Sequence, residues 1–465
     1  MTGRERFQEF LPRVPPKKPT MHKRLSLLLR SAVYALRGGF LIRPLVIALV
    51  LGCLGAILSF AEEYAPALNA WIPEVLFPAH QDPQVAQTIL STIASSIMTV
   101  VSIIFAILLM TLTLASTQFS PRILVSFVRD RSTQWTLGIF LGTFCFCIAA
   151  LPAVRFQPHP FVPVATVLTA MSLAVLCVGW LIFFINHISQ SISVNHIVDR
   201  IARETELVVD DLMPNPRGPS ERPEHATPFR EARERLIVSP RSGYIRFIDA
   251  AYLVECAKSY GVQIVLARRV GHFVPAGVPI MRVAEAGRVT PECEVRILSA
   301  FDIGPARTLQ QDVEFGVIQI VDVALRAISP AINDPSTAIS CIDQLSRIMI
   351  RFATRTPPRT YLHAPPHVLR VVLPWIDFEG LLDTAFEQIR HYSKNDIAVS
   401  LRLIRAFEDI ASVELRPNEL QSLVRRARRV VDGCEENRSE SDMLKLRGRL
   451  ARLESRMSAL GVRDA

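Results

Sequence analysis

Residues 89–117 read ILSTIASSIMTVVSIIFAILLMTLTLAST, 29 residues without a charge. A membrane-spanning helix needs about 20 mostly apolar residues. At a rise of 1.5 Å per residue this run makes about 43 Å of helix, against a hydrocarbon core of about 30 Å. The helix therefore tilts or projects beyond the bilayer. Its polar residues follow a pattern: Thr88, Thr92, Ser95, Thr99, Ser102, Ala106 and Thr113 recur at steps of three and four, broken only at Leu109, and lead on to Ser116 or Thr117. These small or hydroxyl residues share one face, and the other faces are Ile, Leu, Val, Met and Phe. Two readings compete. Small residues let helix backbones approach closely, and Ser and Thr can bond to carbonyls of their own helix, which makes a packing face. In an oligomer, an uncharged hydroxyl-lined face can instead line a pore.

Working outward, three more apolar runs cover residues 45–61, 136–154 and 161–185. Apart from the short loop 122–131, residues 45–185 hold only five charged residues: Glu62, Glu63, Glu74, Asp82 and Arg155. None falls inside a long apolar run, which argues against a proton-coupled pump built on an intramembrane relay. The chain as a whole is 50% hydrophobic and 20% charged over 465 residues, and its mean hydropathy is +0.28. Soluble domains carry about 25% charged residues. The distribution excludes a wholly soluble enzyme. The same distribution excludes a secreted disulfide scaffold, and the eight cysteines include no Cys-x-x-Cys pair, so neither a redox motif nor a zinc knuckle is indicated.

Loop charges choose an orientation. Residues 1–43 hold ten Lys or Arg, the loop 62–88 holds none, and the loop 119–133 brings Arg122, Arg129 and Arg131. The positive-inside rule then places both termini in the cytoplasm. A cleaved signal peptide is not expected, because the first apolar run starts far from Met1. Leu25, Leu28, Leu29, Ala32, Val33 and Leu36 fall on one helical face flanked by Lys23, Arg24, Arg30 and Arg37. That pattern fits an amphipathic helix at the inner interface or one packed on another domain. Past the long span, Gln118, Ser120, Pro121, Arg122 and Arg129 form an inner-interface motif in which Pro121 ends the regular helix and the arginines meet headgroups. Much of the net charge of +9 lies in the basic N-terminal segment, so the lipid bilayer, not nucleic acid, is the expected partner.

The remainder is expected to be an α+β region. Residues 186–212 extend the fourth span as helix, and a linker rich in proline follows to residue 238. A small β-rich domain is expected over 239–305: a strand at 243–248, a helix at 250–260 capped by Asp249 and closed by Gly261, a strand at 262–267, and a further strand at 293–300. Gly271-x-x-Val274-x-x-Gly277-x-Pro279-Ile280 looks like half of a lipoyl-type barrel sandwich, without a carrier lysine at its hairpin. A helical domain follows over 306–436. There Thr308-x-x-Gln311 reads as a capping box for a helix over 310–328, and Asp334 with Pro335 opens the next. Further helices are expected at 378–392, 396–413 and 417–431, with one strand at 368–373. In the last segment, 437–465, Met443, Leu446, Leu450, Leu453, Met457 and Leu460 alternate by three and four. This seam either self-associates or docks on its own chain.

No nucleophile elbow, phosphate loop or metal-ligand spacing is present, so no enzyme activity, cofactor or metal is expected. His363 and His367 are separated by Pro365-Pro366, which rules out one helix face. Asp312, Glu314, Asp322, Asp334 and Asp343 could meet as an acidic cluster, but helix caps and solvated faces account for them more simply.

Several strings together resemble a bacterial family of predicted membrane proteins, the domain of unknown function 2254. They are Ser116-Thr117-Gln118-Phe119-Ser120-Pro121-Arg122, Arg129-Asp130, Gln311-Asp312-x-x-Phe315-Gly316, and Ser329-Pro330-x-Ile332-Asn333-Asp334-Pro335-x-Thr337-Ala338. The resemblance runs from about residue 43 to 413. It implies four spans with a cytoplasmic C-terminal half in the bacterial inner membrane, and it implies no agreed activity. The expectation is thus a four-span α-helical membrane protein with an α+β C-terminal region, a homo-oligomer acting as a channel with a regulatory domain. A membrane-anchored sensor or scaffold binding a ligand or protein is the alternative. An enzyme at the membrane face would need Asp312, Asp334 and His391 in one pocket.

Overall fold

A computed structural model describes residues 42–64, 82–118, 131–156, 160–191, 193–217, 234–434 and 439–459. The amphipathic segment near residues 25–36 and the residues Ser120, Pro121, Arg122 and Arg129 lie outside them. The chain divides into two compact units, residues 1–112 with 124–188 and residues 113–123 with 189–465.

The first unit contains the apolar runs as four helices long and apolar enough to cross a membrane: α1 (Ile42–Tyr64), α2 (Pro83–Gln118), α3 (Arg131–Ala150) and α4 (Val164–Ser191). The runs become helices because each is long and charge-poor, with proline only near its ends (Pro44, Pro152, Pro163), and lipid requires every backbone group to bond within its own segment. Helices α1 and α3 lie backbone to backbone through small residues. A Cβ on Gly55 would sit 2.6 Å from the Phe146 carbonyl oxygen, and one on Gly142 would sit 2.4 Å from Leu51 Cδ1. This is the close approach that small-xxx-small spacing permits. Helix α2 packs through Ala86, Leu90 and Ala94 against Phe146, Cys147 and Ala150 of α3 and Val167 and Ala170 of α4. Further along, Ile97, Val101 and Ile104 meet Leu137, Phe140, Cys177 and Phe184. Trp180 Nε1 donates to Thr136 Oγ1 at 2.9 Å, tying α4 to α3.

In the second unit α5 (Val194–Leu212) is a helix of its own, since Ser193 is extended between it and α4. The expected continuous helix over 186–212 is therefore two. Strands β1 (Arg235–Val238) and β2 (Gly243–Ile248) follow, then α6 (Ala250–Tyr260), β3 (Gln263–Leu266), β4 (Phe273–Val274) and β5 (Pro279–Ala284). Asp249 caps α6 by accepting from Tyr252 N at 2.9 Å, and Gly261 closes it at φ 66°. Next come α7 (Pro291–Leu298), β6 (Phe301–Gly304), α8 (Val313–Ala327), α9 (Pro335–Ala353), β7 (Tyr361–Ala364) and β8 (Val368–Val372). The chain ends in α10 (Phe378–Tyr392), α11 (Ile397–Ile410), α12 (Pro417–Asp432) and α13 (Glu440–Ala459).

Three expectations change here. Residues 293–300 are mostly helix: Thr290 accepts from Cys293 N at 3.2 Å, Pro291 occupies the first turn, and Cys293 and Ile297 are buried four apart while Val295 is 67% exposed. Alternating apolar residues suggested a strand, and the cap decides for helix. Helix α8 is capped by Asp312, which accepts from Phe315 N at 3.0 Å, and not by Thr308, whose buried Oγ1 makes no hydrogen bond among the described residues. The half-barrel does not form. Strand β4 pairs with β2, while β5 pairs with β1 and β3, so the Gly271–Ile280 strands enter different sheets.

The larger sheet has the order β1-β5-β3-β8-β7 and the smaller β4-β2-β6. Strand β8 pairs in parallel with β3, so the sheet begun before residue 305 is completed by strands beyond it. Helix α5 presents Ile197, Val198, Ile201, Thr205, Val208 and Val209 to the core and packs against α8 and α9. Beside this stripe Asp199, Glu206 and Asp210 meet Arg347 and Arg351 of α9 and Arg355 just after it. The final seam docks on its own chain: α13 packs on α11 and α12, burying Met443, Leu446, Leu453 and Met457. Leu450 is half-buried, and Leu460 lies outside the described residues.

Candidate functional site

The hydroxyl face of α2 is open. Thr88, Thr92, Ser95, Thr99, Ser102, Ala106 and Thr113 are all exposed, on the side of the helix opposite the buried Ala86, Leu90, Ala94, Ile97, Val101 and Ile104. Among the described residues, then, Thr88, Thr92, Ser95, Thr99, Ser102 and Ala106 are covered by no other helix. Their hydroxyls bond to their own backbone: Thr88 Oγ1 donates to Gln84 O at 2.7 Å, Ser95 to Thr92 O, Thr99 to Ser95 O and Ser102 to Met98 O, each at 3.0 Å. Each hydroxyl keeps acceptor capacity facing outward. Gln118 ends the same helix.

At the opposite side of the sequence's expectations stands Glu62. Its pattern position suggested only the end of the first span. It is fully buried and accepts from Ala165 N at 3.1 Å and from Thr166 N and Oγ1 at 2.6 Å. The carboxylate thus caps the first turn of α4, where the helix dipole favours negative charge. Beside it Glu63 pairs with Arg155 at 2.8 Å. A Glu at the end of one apolar run and Ala-Thr at the start of another is the signal, but the pairing spans 103 residues.

In the second unit Gln311, Asp312 and Phe315 come together at the start of α8. Gln311 behaves as a piece of strand: its Oε1 accepts from Ile248 N at 3.0 Å and its Nε2 donates to Ile248 O at 3.2 Å. Asp312, 3% exposed, receives two bonds from Arg307 at 2.7 and 2.8 Å, and the same guanidinium lies 5.6 Å from the Phe315 ring centre. Arg307 also reaches Glu314 at 2.9 Å, and Arg269 clasps Glu314 at 3.0 and 3.1 Å. Burial alone would raise the Glu314 carboxyl, but Arg269 and Arg307 outweigh it and hold it below the usual carboxylate range. Burial first, then Arg269, lowers the neighbouring His272. Gly271 stands at φ 87°, and a Cβ there would lie 2.5 Å from Asp312 Oδ2. The cavity beside this network is about 20 Å³, room for about one water. The network is thus a closed joint between the β region and α8.

Asn333, Asp334 and Pro335 form the second joint. Asn333 turns at φ 51°, Asp334 accepts from Thr337 N at 3.1 Å and Thr337 Oγ1 at 2.6 Å, and Pro335 begins α9. Asp334 N donates to Ala327 O at 2.8 Å, so this joint lies at the far end of α8 from Asp312, about 22 Å of helix away. The five acids do not form one cluster: Asp312 and Glu314 share Arg307, while Asp334 sits beyond the far end of α8 and Asp343 pairs with Arg402. Among the described residues no group of three His, Cys, Asp or Glu side chains is placed to hold a metal.

The family model described as "Predicted membrane protein (DUF2254)" matches residues 37–409, covering the four spans, both joints and every strand. The chain belongs to this family. Among DUF2254 relatives, an uncharacterised protein of Mycobacterium bovis is 30% identical over 405 residues, 86% of this chain and 77% of the relative. Two uncharacterised proteins of Mycobacterium tuberculosis strains match at the same identity and coverage. No solved structure matches the chain. The matched DUF2254 region stops within α11, so the docked helix α13 lies beyond it.

Proposed function

We propose that this chain assembles as a homo-oligomer in the bacterial inner membrane, with α2 lining a pore and both termini in the cytoplasm, where the second unit regulates it. The observation that carries this reading is the exposed hydroxyl face of α2. The other exposed surfaces are of the kind lipid tails cover: Leu45, Leu49 and Ile57 on α1, and Val175, Val178 and Ile182 on α4. A face of Thr and Ser opposite the packed face suits another copy or water better than lipid. With no charge on it, it suits passive conduction of an ion or small solute, not proton-coupled transport.

Cysteines placed singly at Ser95, Thr99 and Ser102 test the assembly in native membranes. Oxidation is expected to link two copies through each of them, but not through a cysteine at Leu49. Purified protein in liposomes is expected to pass small ions. A chain that stays monomeric in lipid, without crosslinks or flux, overturns the pore.

A second reading, a membrane-anchored sensor or scaffold, is favoured by a separate feature: the second unit holds a cavity of about 230 Å³.

A further inference from the structure

That cavity opens where four segments of the second unit converge. They are the chain after α5 at Arg217, the end of α9 at Arg355, and the first turns of α10 and α12 at Asp377 and Arg416. We infer that it binds a small organic or inorganic anion through guanidinium groups, of the phosphate or polycarboxylate class. The inference rests on the sensor reading and is independent of the pore.

The charges on the wall decide the sign. Each acid there already has a partner. Glu419 receives Arg217 Nη2 at 2.6 Å and Arg416 N at 2.9 Å. Glu379 faces Arg425 and Arg426. Asp377 caps α10 by accepting from Gly380 N at 2.8 Å. Of the cations, Arg217 gives one bond to Glu419 and one to Ala353 O, and Arg355 bonds Asp210 at 2.7 Å and Pro214 O at 3.1 Å. Arg416 lines the cavity, is exposed, and makes no ion pair among the described residues. A guanidinium has five N–H donors, so donors remain on all three arginines. The positive ends of α10 and α12 add to the same sign. Trp375, Phe352 and Phe378 supply an apolar wall. The volume lies below the roughly 300–1,000 Å³ of drug-sized sites, so the occupant is small. An anion drawing on Arg355 would compete with Asp210 at the end of α5, which gives the site a way to report to that helix.

The test uses the full-length protein in detergent and follows thermal unfolding with inorganic pyrophosphate, citrate and, as a neutral probe, indole, all at constant ionic strength. Pyrophosphate or citrate is expected to raise the Tm saturably. Arg416→Ala should weaken that response at least tenfold without changing the Tm of the unliganded protein, because the side chain is exposed and unpaired. Asn418→Asp separates folding from binding. An acid in the first turn of α12 favours the helix but places negative charge at the cavity, so the unliganded Tm should hold or rise while the anion response is lost. An unchanged response in both variants, or no saturable response to either anion, overturns the inference. A saturable shift with indole alone leaves the cavity a ligand site, keeps the sensor reading and overturns the anion assignment.

Discussion

At the residue scale the second unit concentrates its electrostatics in the Arg269–Glu314–Arg307–Asp312 joint, and two of its neighbours titrate in separate windows. His272 is held below its ordinary value of 6.5 by burial and by Arg269. The folded state therefore favours neutral imidazole, and its contribution is complete above about pH 6.5. It is lost as pH falls through the folded value, because the unfolded chain binds the proton first. Tm measured from pH 7.5 to 5 is expected to fall with a slope that His272→Gln removes. Glu314 is ionised below its ordinary 4.5, so its stabilisation persists until more acidic pH and disappears as the folded carboxyl protonates. Glu314→Gln leaves two arginines facing a neutral amide and should cost about 3 kcal/mol near pH 7 by chemical denaturation, with a flatter profile below pH 4.5. The caps at Asp249 and Asp334 were legible because donor and acceptor lie three residues apart. The Arg269–Glu314 and Glu62–Thr166 contacts join positions 45 and 104 residues apart, and no local pattern encodes such pairings.

At the element scale close packing and docking make their own predictions. On α1 a Cβ at Gly55 would meet backbone, 2.6 Å from the Phe146 carbonyl, and backbone cannot rotate aside as a side chain can. Gly55→Ala should destabilise the membrane unit by about 1–3 kcal/mol. Gly179→Ala, with nothing within 4 Å of the added atom, should be neutral, and Tm in detergent compares the two. Helix α13 depends on α11 and α12 through Leu446 and Leu453, with Arg428–Glu454 at 2.7 Å and Arg449–Glu408 at 3.1 Å along its edge. Leu446→Ala should cost about 2–5 kcal/mol of its docking, seen as faster proteolysis after residue 438 while the rest of the unit stays protected. Apolar length alone made the four long helices legible in the sequence, as did the local cap and glycine that frame α6. Helix α7 was misread because Cys293, Val295 and Ile297 alternate like a strand, and the burial of only the first and last reveals the helical spacing. The heptad seam of α13 was legible as a seam, but its partner was not, since α11 and α12 offer the same kind of apolar face that a second copy would.

At the scale of the whole molecule the question is what covers α2. The first unit buries one side of this helix in its own core and leaves Thr88, Ser95, Thr99 and Ser102 outside. Lipid and a second copy make opposite demands on that side. If lipid covers it, replacing Ser95 or Ser102 by Leu adds apolar surface where apolar surface is favoured and leaves the protein unchanged. If copies meet there, backbones approach over small residues, and each Leu inserts about three extra carbons into a packed seam. Such overpacking costs about 1–3 kcal/mol per site, and every copy in a ring carries it. Ser95→Leu with Ser102→Leu is therefore expected to shift the assembly to monomers in light scattering from lipid nanodiscs, while the second unit of the same full-length chain unfolds at an unchanged temperature. Ser95→Ala with Ser102→Ala keeps the seam narrow and should leave assembly intact, since both hydroxyls already bond to their own helix. Equal assembly of the Leu and Ala pairs would mean that copies do not pack through Ser95 and Ser102, and flux through liposomes then decides: the Leu pair blocks a water-lined pore and leaves a lipid-covered face unchanged, and the pore reading falls if neither assembly nor flux responds.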